Sequence, residues 1–174
     1  MAHELYTRTN QKLYFAGLAL EAWRSAEAAR SMNAQARIQA EREAALFHLY
    51  GALLGVAHEI AGYYRLPQAG APRVDLLINV HVLEAAPSPE LAELVEMAQN
   101  PETWVGRLLG AYAELFQPPI EPRKPKIDPT QPLIVAVSLD EQADVEELGH
   151  AELESWRQAL KELVLRFRGA LTEL

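Results

Sequence analysis

Cysteine is absent from the 174 residues of this chain. Its absence excludes disulfide bonds, thiolate metal sites and cysteine nucleophiles, and it is typical of a reducing compartment. The sequence also lacks a run of roughly 20 apolar residues, which a helix needs to cross a bilayer. The short apolar run from Leu13 to Leu20 ends at Glu21 and does not resemble a signal peptide. We therefore predict a cytoplasmic protein that does not associate with membranes.

The chain contains fewer basic than acidic side chains: 16 Lys and Arg and 24 Asp and Glu, which give a net charge of −8. Residues 71–174 carry nine basic and 18 acidic side chains, whereas residues 1–70 carry seven and six. An acidic surface repels phosphate backbones and keeps a protein soluble. Nucleic-acid binding is therefore disfavoured.

Catalytic motifs are also missing from the sequence. It contains no Gly-x-Ser-x-Gly, no Ser-x-x-Lys and no phosphate-binding glycine loop. One Glu-x-x-His occurs at Glu147 and His150, and a weaker His-x-x-Glu occurs at His81 and Glu84. Di-metal helical bundles need two such motifs and two further Glu residues. We predict neither a metal nor a cofactor.

Helical patterns dominate the first part of the chain. Residues 4–30 are rich in Ala, lack Pro and repeat apolar side chains at helical spacing. A second helix is predicted over about 34–65. Ser31 and Asn33 are good helix-capping residues and favour a break between the two. Since no Gly or Pro lies there, one continuous helix over 4–65 is the alternative.

The second predicted helix carries two adjacent apolar stripes. One consists of Leu46, Leu49, Leu53, Val56, Ile60 and Tyr63, and the other of Phe47, Tyr50, Leu54, Ala57, Ala61 and Tyr64. Together they cover more than half of the circumference. A helix that is apolar on most sides is buried among its neighbours. We predict that this helix lies at the centre of the fold.

Three further helical regions precede the proline-rich part of the chain. Residues 73–86 alternate like a strand and are rich in β-branched side chains, but they lack a nearby partner strand, and we favour a helix. Ser88-Pro89-Glu90 and Asn100-Pro101-Glu102 each place a capping residue before Pro. These tripeptides predict helices over about 89–99 and 101–117.

The C-terminal third begins with a connector. Residues 118–132 contain six of the eleven prolines and predict an extended segment on the surface. A capping-box pattern at 138–141 opens a last helix over 139–174, whose apolar side chains recur at heptad spacing. The sequence predicts an all-α fold: a single domain, 1–174, with a bundle core over 1–117 and a docked C-terminal helix.

Three segments of the chain resemble a known group of sequences. They are TRTNQKLYFAGLALEA, QAEREAALFHLYGALLG, and PSPELAEL followed by PETW. They are similar to small uncharacterised pseudomonad proteins classed as a domain of unknown function. The resemblance extends over nearly the whole chain and implies a small helical bacterial protein without an assigned activity.

The segment EREAALFHLY, over 41–50, resembles the second-helix pattern of HEPN domains. These helical bundles include RNA-cleaving toxins with an Arg-x4–6-His motif. The matching residues are Arg42 and His48, which the resemblance makes candidate catalytic residues. Glu43 stands where the family usually has Asn, Asp or His.

The face of the central helix that the two stripes leave free is rich in glycine. It holds His48, Gly51, Ala52, Gly55, Glu59 and Gly62, with His58 at its edge. A glycine inside a helix costs up to about 1 kcal/mol relative to alanine. The glycines on this face therefore predict that another molecular surface packs closely against the helix backbone. The candidates are the Ala-rich first helix, a second copy of the protein, and a small ligand recognised by His48, His58 and Glu59.

The function that these observations favour is that of a non-enzymatic interaction or regulatory protein. It would act through helix surfaces on a protein partner or as a homodimer, with the glycine-rich face as the candidate binding surface. The alternative is a HEPN-like component of RNA processing or of a toxin–antitoxin pair.

Overall fold

Two long antiparallel helices form the centre of the molecule in the computed structural model, which describes residues 2–118 and 148–172. The described residues form α1 (Ala2–Ala29), α2 (Ala34–Tyr63), a 3-10 turn (Val74–Leu76), α3 (Val80–Ala85), α4 (Pro89–Gln99), α5 (Trp104–Glu114) and α6 (His150–Thr172). No strand occurs among them. The predicted all-α bundle is confirmed.

The chain breaks between α1 and α2 at the predicted position, although Asn33, the N-cap of α2, makes no side-chain capping hydrogen bond. Arg30 has a φ of 47°, in the left-handed region that ends a right-handed helix. The Ser31 hydroxyl donates a hydrogen bond to Asn33 Oδ1 at 2.8 Å. The alternative of one continuous helix over 4–65 is therefore wrong.

Helix α2 is the buried central helix that its stripes predict, although the burial is uneven. Leu46, Leu49, Leu53, Val56 and Ile60 are all buried. Both stripes are incomplete, because Tyr63 at the end of one and Phe47 at the start of the other are exposed. Between Ala44 and Ala61, every residue of α2 except Phe47 is buried or half-buried, so neighbouring helices cover α2 on most sides.

Helix α2 is also long and apolar enough, by length and composition, to cross a membrane. The expectation that no segment is long and apolar enough to span a bilayer is therefore too strict. Of the most apolar 18-residue window, 61% is buried inside the protein, as in the core helix of a bundle.

Residues 73–86 form a 3-10 turn and the short helix α3. Buried side chains lie at Val74, Leu77, Ile78 and Val82, a helical rather than an alternating spacing. Asn79 caps α3 by accepting a hydrogen bond from the Val82 amide at 2.9 Å. The strand alternative is wrong for these residues.

Helix α4 begins at Pro89 as predicted, but α5 begins later than 101. Thr103 is its N-cap and accepts a hydrogen bond from the Gly106 amide at 3.1 Å. Asn100 instead closes a turn by accepting from the Glu102 amide. A Cβ on Gly106 would overlap the Asn100 carbonyl oxygen, so the turn folds back onto the helix at a position where only glycine fits.

Helix α6 begins at His150 and not at 139, because Leu148 and Gly149 are not helical. It docks along most of the predicted stripe, although Ala170 of that stripe is exposed. Its buried residues are Leu153, Trp156, Leu160, Leu163, Val164, Phe167 and Leu171. They pack against the core that α1 and α2 provide. The predicted connector beyond Pro118 and the capping pattern at 138–141 lie outside the described residues.

Candidate functional site

Helix α1 covers the glycine-rich face of α2. A Cβ on Gly55 would lie 2.5 Å from Thr9 Oγ1 and 3.3 Å from Thr9 Cα. A Cβ on Gly51 would lie 3.1 Å from the Cδ of Lys12. The first of the three candidates, another helix of the same chain, is therefore the one in contact with these glycines.

The far end of the face is more open. Gly62 is exposed, and a Cβ there would meet only the Leu5 side chain, at 3.1 Å. Ala52 is fully buried. The close approach of α1 therefore depends most on Gly55.

Glu59 lies at the centre of a buried polar network that joins three helices. Arg168 of α6 binds its carboxylate through two hydrogen bonds, of 2.9 and 2.8 Å, and Thr9 of α1 donates a third at 2.5 Å. The side chains of Glu59 and Arg168 are 4% and 17% exposed. Because a buried carboxylate requires a cation, Glu59 on the core helix signalled such a partner, but the sequence did not identify which basic residue it is.

The two histidines of the candidate site have separate neighbours. The ring of His58 hydrogen-bonds through Nε2 to the Ala71 carbonyl oxygen at 2.7 Å and so holds the segment after α2. The ring of His48 packs edgewise on Phe15 and Phe47, each with a centroid distance of 5.3 Å. Burial, and then the positive charge of a nearby lysine, lower the pKa of His48.

Arg42 and His48, the pair that the HEPN resemblance suggests, contact different parts of α1. Arg42 lies over the Trp23 ring at 5.1 Å, whereas His48 contacts Phe15. Those two rings are eight residues apart, or about 12 Å along a helix axis. The structure therefore does not place the pair against a common neighbour on α1.

The other histidine motifs do not converge either. The ring of His150 hydrogen-bonds to the Leu20 carbonyl oxygen at 2.9 Å and contacts the Trp23 ring, which fixes α6 on α1. His81 and Glu84 are exposed, and Glu147 lies outside the described residues. Over 2–118 and 148–172, no group of three His, Asp or Glu side chains could hold a metal ion.

An exposed cluster of apolar side chains lies where α1 and α2 meet. We call Tyr14, Phe15, Leu18, Phe47 and His48 the aromatic face. Tyr14, Leu18 and Phe47 are 62%, 44% and 50% exposed. The rings form a continuous chain from Tyr14 to Phe15, His48 and Phe47, with centroids 5.3 to 6.4 Å apart. Sequence reasoning missed this surface because it placed Phe47 in a buried stripe.

A cavity of about 220 Å³ adjoins the aromatic face, and we call it the basic groove. The residues that matter for its chemistry are Arg8, Lys12, Phe47, Tyr50 and Tyr112. The two tyrosine rings stack with centroids 3.8 Å apart, and the Lys12 ammonium lies 5.0 Å from the Phe47 centroid. Burial, and then the charge of Arg8, lower the pKa of Lys12.

Comparison with known proteins gives a family but no activity. The sequence model of a group described as "Family of unknown function (DUF6586)" matches residues 1–174. No curated protein and no solved structure matches the chain.

Proposed function

Since this chain belongs over its whole length to a family of unknown function, we propose from its own geometry that it is a non-enzymatic protein that binds another protein. The aromatic face is the docking surface. A bacterial origin and a cytoplasmic location belong to the same proposal.

The exposure of the aromatic face is the observation that carries the proposal. A contiguous apolar surface on a soluble bundle is typical of an interaction site, whereas scattered apolar residues are not. The few residues that dominate the binding energy of a protein interface are often large aromatic side chains. Tyr14 and Phe47 are therefore the expected anchors, because each leaves half or more of its surface in solvent.

A partner of a different sequence fits this surface better than a second copy does. In a two-fold dimer the same patch faces itself. A dimer centred on the aromatic face would place four cations, Arg8 and Lys12 of each copy, around one interface. Like charges brought together in an interface oppose binding.

Photo-crosslinking at defined positions tests the proposal. A benzophenone amino acid is placed at Tyr14 or at Phe47, and the protein is irradiated in its host cell. The matched control carries the same group at Leu165 on α6, which is 65% exposed and belongs to no aromatic cluster. We expect a discrete adduct with one other protein from Tyr14 and Phe47 and none from Leu165.

Two outcomes would contradict this function. The first is an adduct pattern that is the same at all three positions. The second is an adduct with a copy of the same chain, accompanied by a concentration-dependent dimer in light scattering, which would replace the partner by a homodimer.

The RNA-cleaving alternative makes a separate prediction. It requires Arg42 and His48 to act on one phosphodiester, although they contact different rings of α1. We expect the purified protein to leave a mixed RNA substrate intact. Cleavage that disappears in His48→Ala would establish the alternative.

A further inference from the structure

We propose that the basic groove binds an acidic peptide segment of the partner protein. The carboxylates of the segment would lie against Arg8 and Lys12, and one large apolar side chain would lie between these residues and the two stacked tyrosines. This inference rests on the proposed function, because it names the chemistry of that partner.

The positive charge of the groove is not neutralised within the described part of the chain. Arg8 and Lys12 lie one turn apart on α1, where like charges repel each other. No carboxylate of the described residues forms an ion pair with either of them. Several other arginines do have such partners; the pairs are Arg73–Asp75, Arg107–Glu152, Arg157–Glu154, Arg166–Glu93 and Arg168–Glu59. An incoming carboxylate would supply the missing counter-charge.

The position of Lys12 is fixed by its neighbours on α2. Its aliphatic carbons lie where a side chain on residue 51 would be, so Gly51 leaves the space that they occupy. Its ammonium lies over the Phe47 ring, a weaker partner for a cation than a carboxylate. The charge is thus held partly desolvated beside an aromatic ring, and an attached carboxylate would be favoured there.

The opposite wall of the groove is apolar and rigid. Tyr50 and Tyr112 stack with an interplanar angle of 8°. The Tyr50 hydroxyl accepts a hydrogen bond from the Val74 amide at 3.0 Å, which fixes that ring. A cavity of about 220 Å³ gives room for one large side chain rather than for a helix. A rigid aromatic pocket next to cations suits an apolar anchor that is flanked by acidic residues.

An NMR titration with a short peptide tests this directly. The probe is acetylated, amidated Glu-Glu-Phe-Glu-Glu, and the readout is the amide spectrum of the intact, isotope-labelled protein, which detects even millimolar binding. We expect shifts centred on Lys12, Gly51 and Tyr112 that weaken as salt is added. The same peptide with Lys in place of Glu should cause none of them.

A matched pair of variants assigns the effect to the groove. The double variant Arg8→Gln, Lys12→Gln should bind the acidic peptide at least about tenfold more weakly, because two charge-assisted contacts are lost. Arg24→Gln removes an exposed arginine from the same helix, far from the groove, and should bind as the parent does.

Each of four results would overturn the inference: no shifts with the acidic peptide, equal shifts with the lysine peptide, unchanged binding by the double variant, or the same shifts with sodium benzoate alone. The last would assign the groove to small aromatic acids. A crosslinked partner at Phe47 that persists in the double variant would leave the proposed function intact and overturn only its acidic chemistry. Peptide binding in the absence of any crosslinked partner would overturn the proposed function and leave the acidic-ligand chemistry of the groove intact.

Discussion

Replacing Gly55 by alanine should destabilise the protein, although alanine is the better helix former. The new Cβ would lie 2.5 Å from Thr9 Oγ1, far inside van der Waals contact. Rotating the Thr9 side chain does not relieve the clash, because Thr9 Cβ and Cα would still lie at 3.2 and 3.3 Å. The rotation would also break the hydrogen bond to the buried Glu59 carboxylate. Either α1 shifts or this hydrogen bond is lost.

The expected loss of stability in Gly55→Ala follows from three opposing contributions to the free energy of unfolding. Helix propensity gains up to about 1 kcal/mol, overpacking costs about 1–3 kcal/mol, and a lost hydrogen bond to a charged group costs about 1.5–3 kcal/mol. We expect a net loss of about 1–3 kcal/mol in the free energy of unfolding. For a chain of this size, that lowers the melting temperature by about 2–12 °C. Urea unfolding and calorimetry measure both quantities, and the bulkier Gly55→Leu should prevent folding.

Two matched glycines serve as controls for the packing argument. Gly110→Ala, in α5, places a Cβ in open space and should stabilise by up to about 1 kcal/mol. Gly62→Ala, on the same face of α2 as Gly55, meets only one flexible leucine and should change stability little. If Gly55→Ala proves as stable as Gly110→Ala, the contact between α1 and α2 is looser than described and the reasoning is refuted.

Three further measurements test the core. Arg168→Met should lower the free energy of unfolding in urea by about 3–5 kcal/mol, because it leaves a buried carboxylate without its cation. The control Arg166→Met removes an exposed ion pair and should lower it by at most about 1 kcal/mol. Equal losses would contradict the buried network. Trp156→Ala and Phe167→Ala should each cost about 3–5 kcal/mol, since both rings are buried, and unchanged melting temperatures would mean that α6 is peripheral. Because the pKa of His48 is lowered in the folded state, its contribution to stability is present above its unfolded value of 6.5 and is lost as the pH falls below it. The stability difference between pH 7 and pH 5 should therefore be smaller in His48→Asn, and an identical difference would show that this ring does not contribute.

Local signals located most of the helices correctly. The break at 30–33 lies at the predicted position, although Asn33 does not cap α2 through its side chain. The start of α4 at Pro89 follows from capping and backbone preferences that act within a few residues. The start of α5 was misplaced for the same reason, because Asn100 and Thr103 are both good caps. In the structure Thr103 is the cap, and the Asn100 carbonyl lies so close to Gly106 that no larger residue fits there.

The candidate site was predicted in part. The glycine-rich face marks a close approach, but the sequence could not decide that α1 covers it. Arg168 lies 109 residues from Glu59, and no local pattern links two residues so far apart. The exposure of Phe47 was missed because an apolar stripe predicts burial without showing where the neighbouring helices end.

The sequence by itself determined that the chain is helical, that α2 is the central helix, and that glycines mark one side of it. These properties depend on short-range terms, namely helix propensity, capping and the spacing of apolar residues along one element. The tertiary structure alone decided which rings remain in solvent and which cations have no ion-pair partner within residues 2–118 and 148–172. Those outcomes depend on contacts between α1, α2, α5 and α6, and contacts between distant segments are fixed only when all the helices pack together.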